Sequence, residues 1–424
     1  MEQTKSVAFH TLGCKLNFSE TSTISRLMEK EGFEKKNFTD KADVYVINTC
    51  SVTDNADKEC RMLVRRIQKR APESMVVITG CYAQLKPAEI ASIDGVDLVL
   101  GAAEKFNIAQ HIKEFTKGDS TKICSCDIGE VSGFISSYSI NDRTRTFLKV
   151  QDGCNYNCSF CTIPMARGKS RSDTVSNVVR NVELLAETGV KEIVLTGVNL
   201  GDFGKSDDNS IINKEDFYLL IQELDKISAI DRFRISSIEP NLLTNEIIDF
   251  VAGSRSFMPH FHIPLQSGSN TILGLMRRRY KKELYAERVT HIKSLMPHCS
   301  IGVDVIVGFP GELDEYFDET YNFLSDLDVS YLHTFTYSER ANTLALGMKN
   351  VINIKVRNDR NRKLRNLSFI KSSEHTLRHI GETRKVLFEA NEKNGMMEGY
   401  SDNYIKVTTL HRQDWVNKIV EWKI

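Results

Sequence analysis

The sequence predicts an α/β protein with an N-terminal parallel-sheet domain, a central partial barrel of six strand–helix units and a small C-terminal antiparallel β-barrel. Three observations lead there. Strand-like runs alternate with helix-period segments through most of the chain, the pattern of parallel sheets covered by helices. A length of 424 residues accommodates two or three domains of ~150 residues each. From Arg384 onward short alternating strands replace the helices, with Gly395 and Gly399 between them. Composition then sets the boundaries: a domain at 1–116, a polar linker rich in Ser and Gly at 117–142, a core at 143–379 and an end module at 380–424.

Chain-wide composition excludes more than it assigns. Lys and Arg total 56 and Asp and Glu 56, so any nucleic-acid surface must come from local patches. Met1 to Lys5 leads straight into a strand-like run, nothing resembles a signal peptide, and no apolar stretch approaches the ~18 residues of a membrane span. No membrane partner is expected. Ten cysteines in a chain of this size do not form a secreted disulfide framework; they point to metal or redox chemistry and a cytoplasmic location.

In the first third, Ser6–Thr11, Asp43–Asn48, Met75–Thr79 and Asp97–Leu100 read as strands. Helix-period residues separate them: Ile24, Leu27 and Met28 before Gly32, then Cys60, Leu63, Val64 and Ile67 before Pro72, then a short helix from Pro87 to Ile93. Cys14, Cys50 and Cys81 each stand just past a strand end, roughly one strand–helix–strand unit apart. Sites in open parallel sheets form at the carboxyl ends of strands, so all three are expected on one edge. They read either as the protein ligands of an iron–sulfur cluster or as three inert core thiols. Cys60, on a helix's apolar side, reads as core, and Cys124, Cys126 and Cys299 carry no pattern that assigns them a role.

The middle begins with a strand at Thr146–Val150 that runs into Gly153-Cys154-Asn155-Tyr156-Asn157-Cys158-Ser159-Phe160-Cys161. Thiolates this close can converge on one metal centre. A 4Fe–4S cluster normally takes four Cys ligands, so three leave one iron open. A zinc site, which needs a fourth ligand, and chance crowding are the alternatives. A helix near Asp173-Thr174 places Val175, Val178, Val182 and Leu185 inward and stops at Gly189. Five strands follow: Glu192–Thr196, Phe233–Ser237, His260–Leu265, Ile301–Val307 and Tyr331–Phe335. Six units are too few for a closed eight-unit barrel, whose active site lies at the strand carboxyl ends. Polar residues gather after these strands, at Thr196–Asn199, Ser236–Pro240, Pro264–Ser269 and Gly308–Glu312, as a bound cofactor would require.

Lys355 to Arg378 holds eight Lys or Arg against two acidic residues. Val356, Leu364, Leu367 and Ile370 are expected inward, with Arg357, Arg360, Arg362 and Arg365 toward solvent, either as a solvated face or as phosphate contacts. The runs Arg277-Arg278-Arg279-Tyr280 and Arg167–Arg171 add positive charge near the barrel mouth. The strands after Arg384, Lys385–Glu389, Tyr404–Val407 and Asn417–Ile424, suit a small barrel of a kind that commonly binds nucleic acid.

The C-x3-C-x2-C loop with Phe160 before its last cysteine is the signature of radical S-adenosylmethionine (SAM) enzymes, which use a six-unit open barrel. The whole chain resembles the methylthiotransferase family of these enzymes, which install a methylthio group on tRNA or on a ribosomal protein. The resemblance is carried by Thr11-Leu12-Gly13-Cys14-Lys15-Leu16-Asn17, Asn48-Thr49-Cys50-Ser51-Val52-Thr53, Gly80-Cys81-Tyr82-Ala83-Gln84, the central loop through Pro164 and Arg167-Gly168, and Pro264–Ser269. The C-terminal module looks like a TRAM domain. Lys15, Ser51-Val52-Thr53 and Tyr82 look most like the branch acting on N6-threonylcarbamoyladenosine in tRNA. The isopentenyladenosine branch typically has Gln at Lys15 and Arg at Thr53, and the ribosomal-protein branch has Pro after the first cysteine.

The resemblance implies two 4Fe–4S clusters and SAM as cofactors. Cys154, Cys158 and Cys161 would hold the cluster that binds and cleaves SAM to a radical, which takes hydrogen from C2 of the adenine. Cys14, Cys50 and Cys81 would hold the auxiliary cluster that carries the sulfur, methylated by a second SAM. Phe160, Asn199, Ser237, Glu239, Gln266 and Asp304 are the expected SAM contacts. The implied partners are the tRNA anticodon stem-loop, whose unpaired bases are accessible to a buried site, an electron donor such as flavodoxin or ferredoxin, and a sulfur donor. Three alternatives stand beside this reading: methylthiolation of isopentenyladenosine, a radical SAM enzyme acting on a protein, and a non-enzymatic RNA-binding protein with structural zinc.

Overall fold

A computed structural model describes residues 5–50, 54–131, 133–140, 144–205 and 215–424. Ser51, Val52 and Thr53, used above to distinguish branches, lie outside the described residues. By contact the chain forms two compact units. Met1–Asp142, Phe147–Asn155 and Cys161–Arg171 make the first; Arg143–Thr146, Tyr156–Phe160 and Ser172–Ile424 make the second.

The first unit is a parallel sheet of β1 (Ser6–Thr11), β2 (Glu34–Lys36), β3 (Val44–Thr49), β4 (Met75–Gly80), β5 (Leu98–Leu100) and β6 (Lys122–Cys124), in the order β2-β1-β3-β4-β5-β6. Residues of β3 and β4 are buried along their whole length, as central strands covered on both faces must be. On one face α1 (Lys15–Lys30) and α5 (Ile108–Glu114) pack Ile24, Met28, Ile108 and Ile112 against Val44, Val46 and Val77. On the other, α2 (Asp54–Arg70), α3 (Cys81–Leu85) and α4 (Pro87–Ala91) pack Leu63, Val64 and Ile90 against Tyr45, Ile47 and Ile78. The sheet therefore reads with period two, each strand feeding alternate residues to the two cores. Residues 117–142, expected as a linker, instead carry β6 and β7 (Ser137–Tyr138). A three-residue edge strand in polar surroundings has no periodicity to announce it. β7 pairs antiparallel with β8 (Thr146–Lys149), Tyr138 opposite Leu148. β9 (Gln151–Asp152), α6 (Ile163–Arg167) and β10 (Arg171–Ser172) frame the cysteine loop.

The second unit holds parallel pairs β11 (Glu192–Thr196) with β12 (Arg232–Ile235), and β13 (His260–His262) with β14 (Ser300–Val307) and β15 (Tyr331–Thr336). Parallel bridges at Phe233–Phe257 and Ser237–His262 continue β12 into β13. The intervening helices are α7 (Val175–Glu187), α8 (Phe217–Asp225), α9 (Asn245–Gly253), α10 (Asn270–Leu275), α11 (Lys282–Leu295) and α12 (Asp314–Asp326). Thr174 and Asp216 cap α7 and α8 through their side chains, satisfying backbone N–H groups that the helix leaves open. All five strands end on one rim, as expected of a partial barrel.

The basic helix α13 (Ile354–Leu377) buries Leu364 and Leu367 as expected, but the rest of its facing is corrected. Arg357 and Arg360 are buried, while Val356 and Ile370 are exposed. Arg357 donates to the carbonyls of Ile352 and Tyr337 and to Glu339; Arg360 pairs with Glu312 and Asp314. The C-terminal module is β16 (Thr383–Lys393), β17 (Met396–Ser401), β18 (Lys406–Leu410) and β19 (Ile419–Lys423), antiparallel in the order β18-β17-β16-β19. It is a curled half-barrel rather than a closed barrel. A register shift between Phe388 and Glu392 bends β16 around Val386, Phe388, Met397 and Val407.

Candidate active site

Because β1, β3 and β4 are neighbours and parallel, Cys14, Cys50 and Cys81 emerge side by side at one sheet edge, as expected. The fit is close. Gly13 takes φ +101°, and a Cβ there would stand 2.6 Å from Cys50 Cβ and 2.9 Å from its Sγ. Gly80, at φ +97°, packs so tightly on Thr49 that a Cβ would meet its carbonyl oxygen at 2.3 Å. Only glycine lets the strand ends approach this far. Asn17, three residues past Cys14, donates to the carbonyls of Leu12 and Thr49, both at 2.9 Å, and so ties the approach to Cys14 to the approach to Cys50. Burial raises the Cys81 thiol, and Arg167 opposes that shift. Among the described residues no two cysteines form a disulfide. Among the described residues no three His, Cys, Asp or Glu side chains converge as a single metal ion would require. A cubane binds each thiolate through a different iron and asks for wider spacing. Three cysteines at one edge, outside any disulfide and in a cradle closed by glycine, fit such a cluster.

The second cysteine set is built by a pinned loop. Gly153, at φ +69°, presses on the carbonyl of Lys169, and Cys154 N donates to Gly168 O at 3.1 Å. Cys161 Sγ accepts from the N–H of Ile163 at 3.5 Å. Cys158 Sγ accepts from Arg278 Nη1 at 3.0 Å, and Arg278 Nη2 bonds Glu239. Burial raises the Cys158 thiol and the Glu239 carboxyl, with Arg278 lowering both. Cys154 and Cys161 in the pinned loop, and Cys158 with its hydrogen-bonded guanidinium, each offer a thiol of the donor type that an open-iron cluster takes.

The expected SAM contacts divide by location. Phe160 lies edge-on to Phe309, ring centroids 6.3 Å apart, in an apolar cluster with Ile272 and Met276. Asn199 is buried past β11; its Nδ2 donates to Asp202 at 2.8 Å and its Oδ1 accepts from the Glu239 N–H at 3.4 Å. Ser237 bridges to His262 past β12, and Asp304 on β14 pairs with His262 Nε2 at 2.9 Å. Gln266 takes φ 67°, an uncommon conformation for a non-glycine residue, held by bonds to the Asp304 carbonyl and from the Ile306 N–H. Asn199 and Glu239 are thus in contact past the ends of β11 and β12, and Gln266 meets Asp304 through the backbone; Asp304, expected at a strand end, instead lies inside β14, because that strand runs three residues further to Val307.

Two features escaped the sequence reading. In sequence Arg278 is one of a basic run that adds positive charge near the barrel mouth, whereas in the fold it is buried and touches both Cys158 and Glu239. A buried ionic cluster of Glu20, Lys105, Lys149, Asp152 and Arg167 also lies in the first unit, each side chain at most 7% exposed. Its signal was available: Asn17, Glu20 and Ile24 share one helix face, and Lys149 and Asp152 interrupt an apolar strand run. Cys60 is fully buried with its thiol pushed up to about 12 by burial, and Cys299 likewise. Cys124 Sγ lies 3.7 Å from His111 Nδ1.

Residues 148–324 match the Radical SAM superfamily, and residues 6–101 match a family described as "Uncharacterized protein family UPF0004". Among solved structures, the radical SAM methyltransferase TsrM from Kitasatospora setae superposes with a TM-score of 0.55 over 78% of this chain and 73% of its own, at 14% identity. This is a likeness of fold. With the family match over residues 148–324, the chain is of the radical SAM class. Threonylcarbamoyladenosine tRNA methylthiotransferase MtaB of Bacillus subtilis (strain 168) is 40% identical over 99% of this chain and 93% of its own length. The MtaB of Thermotoga maritima is 34% identical over 95% and 91%. A tRNA-2-methylthio-N(6)-dimethylallyladenosine synthase of Syntrophus aciditrophicus is 29% identical over 99% and 88%. The chain belongs to the methylthiotransferase family of radical SAM enzymes, in the branch that contains MtaB.

Proposed function

We propose that the protein is a tRNA methylthiotransferase that adds a methylthio group to C2 of N6-threonylcarbamoyladenosine beside the anticodon. The observation that carries this reading is 40% identity across nearly the whole chain with an enzyme named for that nucleoside. Cys154, Cys158 and Cys161 hold one 4Fe–4S cluster, and Cys14, Cys50 and Cys81 the auxiliary one. When bound, the two clusters and SAM supply the electron, the radical and the methylated sulfur. The chain's own residues bind and position. Arg278 fixes the Cys158 side chain and holds Glu239 at the rim through a forked guanidinium. Asn199, Ser237, Glu239 and Gln266 offer SAM polar contacts around the strand ends and Asp304 offers one from within β14, with Phe160 against its adenine. Electrons come from a flavodoxin- or ferredoxin-like donor and sulfur from a separate donor. The half-barrel at 383–423 acts as a TRAM-like RNA contact, and the site of action is the cytoplasm, where tRNA is found. Among the described residues no helix is long and apolar enough to cross a membrane.

The test is anaerobic incubation of the iron- and sulfide-reconstituted chain with SAM, reductant and tRNA carrying threonylcarbamoyladenosine, followed by nucleoside mass spectrometry. The methylthio derivative of that nucleoside is expected. Its absence, with modification of isopentenyladenosine tRNA instead, assigns the chain to the other tRNA substrate. Modification of neither removes tRNA as substrate.

A further inference from the structure

We infer that Arg167, on the helix that follows the SAM-side cysteine loop, is a positioning and electrostatic residue for the other cysteine set. The inference rests on the reading of Cys14, Cys50 and Cys81 as cluster ligands. α6 starts two residues past Cys161 and ends at Arg167, which is 4% exposed. Its Nη2 donates to Asn17 Oδ1 at 2.5 Å, and Asn17 holds the carbonyls that precede Cys14 and Cys50. Its Nη1 donates to Asp152 Oδ1 at 2.9 Å, and that same Oδ1 accepts from the Gly153 N–H, next to Cys154. One guanidinium therefore stands a single link from the backbone of both cysteine sets. Glu20, on the helix that begins after Cys14, accepts from both nitrogens of Arg167, from Lys105 at 2.6 Å and from Lys149 at 3.2 Å.

The charges do not balance. Arg167, Lys105 and Lys149, all nearly or fully buried, and the partly buried Arg171 face Glu20 and Asp152, four basic side chains against two carboxylates, and the excess stands although burial lowers the Lys105 pKa. Buried charge without a partner is expensive, so an excess cation implies an anion beside it. The place for that anion is set by packing: α3, which opens on Cys81, lies against α6, which ends on Arg167, and Asn17 joins the same guanidinium to the carbonyls before Cys14 and Cys50. A cluster held by three thiolates is that anion in its loaded form. Positive charge fixed beside it favours the extra electron of the reduced state, since net charge and hydrogen bonds set the potential of such clusters. The segment that carries Cys161 thus also sets the charge at Cys14, Cys50 and Cys81.

The test uses the reconstituted full chain with Cys154, Cys158 and Cys161 replaced by Ala, so that only the auxiliary cluster remains. Its midpoint potential is read by electron paramagnetic resonance titration. Arg167→Gln is expected to shift the potential downward with iron per chain unchanged, and Arg167→Lys to recover most of the shift. Lys105→Gln, further from the backbone links, is expected to shift it in the same sense and decides the matter if Arg167→Gln loses iron. Unchanged potentials in fully loaded Arg167→Gln and Lys105→Gln chains overturn the inference. The underlying ligand reading fails separately: adding Cys50→Ala would then leave the iron content as it was.

Discussion

At Arg278 one side chain does two jobs that a lysine cannot share, because only the planar fork reaches Cys158 and Glu239 at once. Both members of the Arg278–Glu239 pair are largely shielded, at 4% and 13% side-chain exposure. Removing the cation alone leaves a carboxylate whose burial already raises its pKa. Arg278→Gln is therefore expected to cost about 3 kcal/mol, the scale for breaking a buried pair from one side. Adding Glu239→Gln removes the stranded charge and should restore much of that stability, a coupling of about 1–3 kcal/mol. Melting temperatures of the four chains of this cycle check it; additive losses would show that the pair is not coupled. The sequence displayed the six candidate ligand cysteines plainly, because their spacing and their place after strands are local properties. Arg278 was hidden in a run of three arginines. Which of them turns inward depends on Cys158 and Glu239, far away in sequence, and not on anything in the run.

At the scale of an element, α13 shows the same limit. Leu364 and Leu367 marked the buried stripe correctly, but Arg357 and Arg360 are also inside because Glu339 and Glu312 meet them there. Apolar periodicity registers only the apolar half of a buried face. The parallel sheet of the first unit was legible for the opposite reason: β3 and β4 are apolar along their length and need no distant partner to be recognised. Near the end of α13, His375 is 8% exposed, faces the Asn403 carbonyl and has Lys293, His379 and Arg378 around it. Burial, with those cations, lowers its pKa from 6.5 to about 4. A depressed folded-state pKa means that the neutral form is the one the fold accepts. Its stabilisation is present above the unfolded value, declines as pH falls from about 6.5 toward about 4, and is flat below. At 1.36 kcal/mol per unit the total is about 3 kcal/mol. Trp415 and Trp422, the chain's two tryptophans, pack on Phe388 in the half-barrel and report on this region by fluorescence. Wild type is expected to lose about 3 kcal/mol against His375→Gln in urea unfolding between about pH 7 and about pH 4. A difference independent of pH would show that His375 titrates normally in the fold.

For the molecule as a whole, composition suggests contiguous segments with a first boundary near residue 116, whereas the contacts interleave. The first unit takes back Phe147–Asn155 and Cys161–Arg171 after the chain has left it. No periodicity reports this return, because its agents are single charged side chains. Lys149, Asp152 and Arg167 come from the returning segments, and Glu20 and Lys105 wait for them in the first pass. A fragment ending at residue 116 keeps Glu20 and Lys105 but loses the rest, and it leaves β5 as a bare edge by removing β6. Stranding Glu20 with one cation in place of three is expected to cost about 3–5 kcal/mol. That is a large share of the ~5–15 kcal/mol that holds a domain together. A fragment ending at residue 171 restores every partner of the cluster. The expectation is a cooperative thermal transition by circular dichroism for residues 1–171 and none, or one many degrees lower, for residues 1–116 and 1–142. Equal transitions for all three fragments would place the boundary where composition put it and reduce the buried cluster to a local feature of the cysteine site.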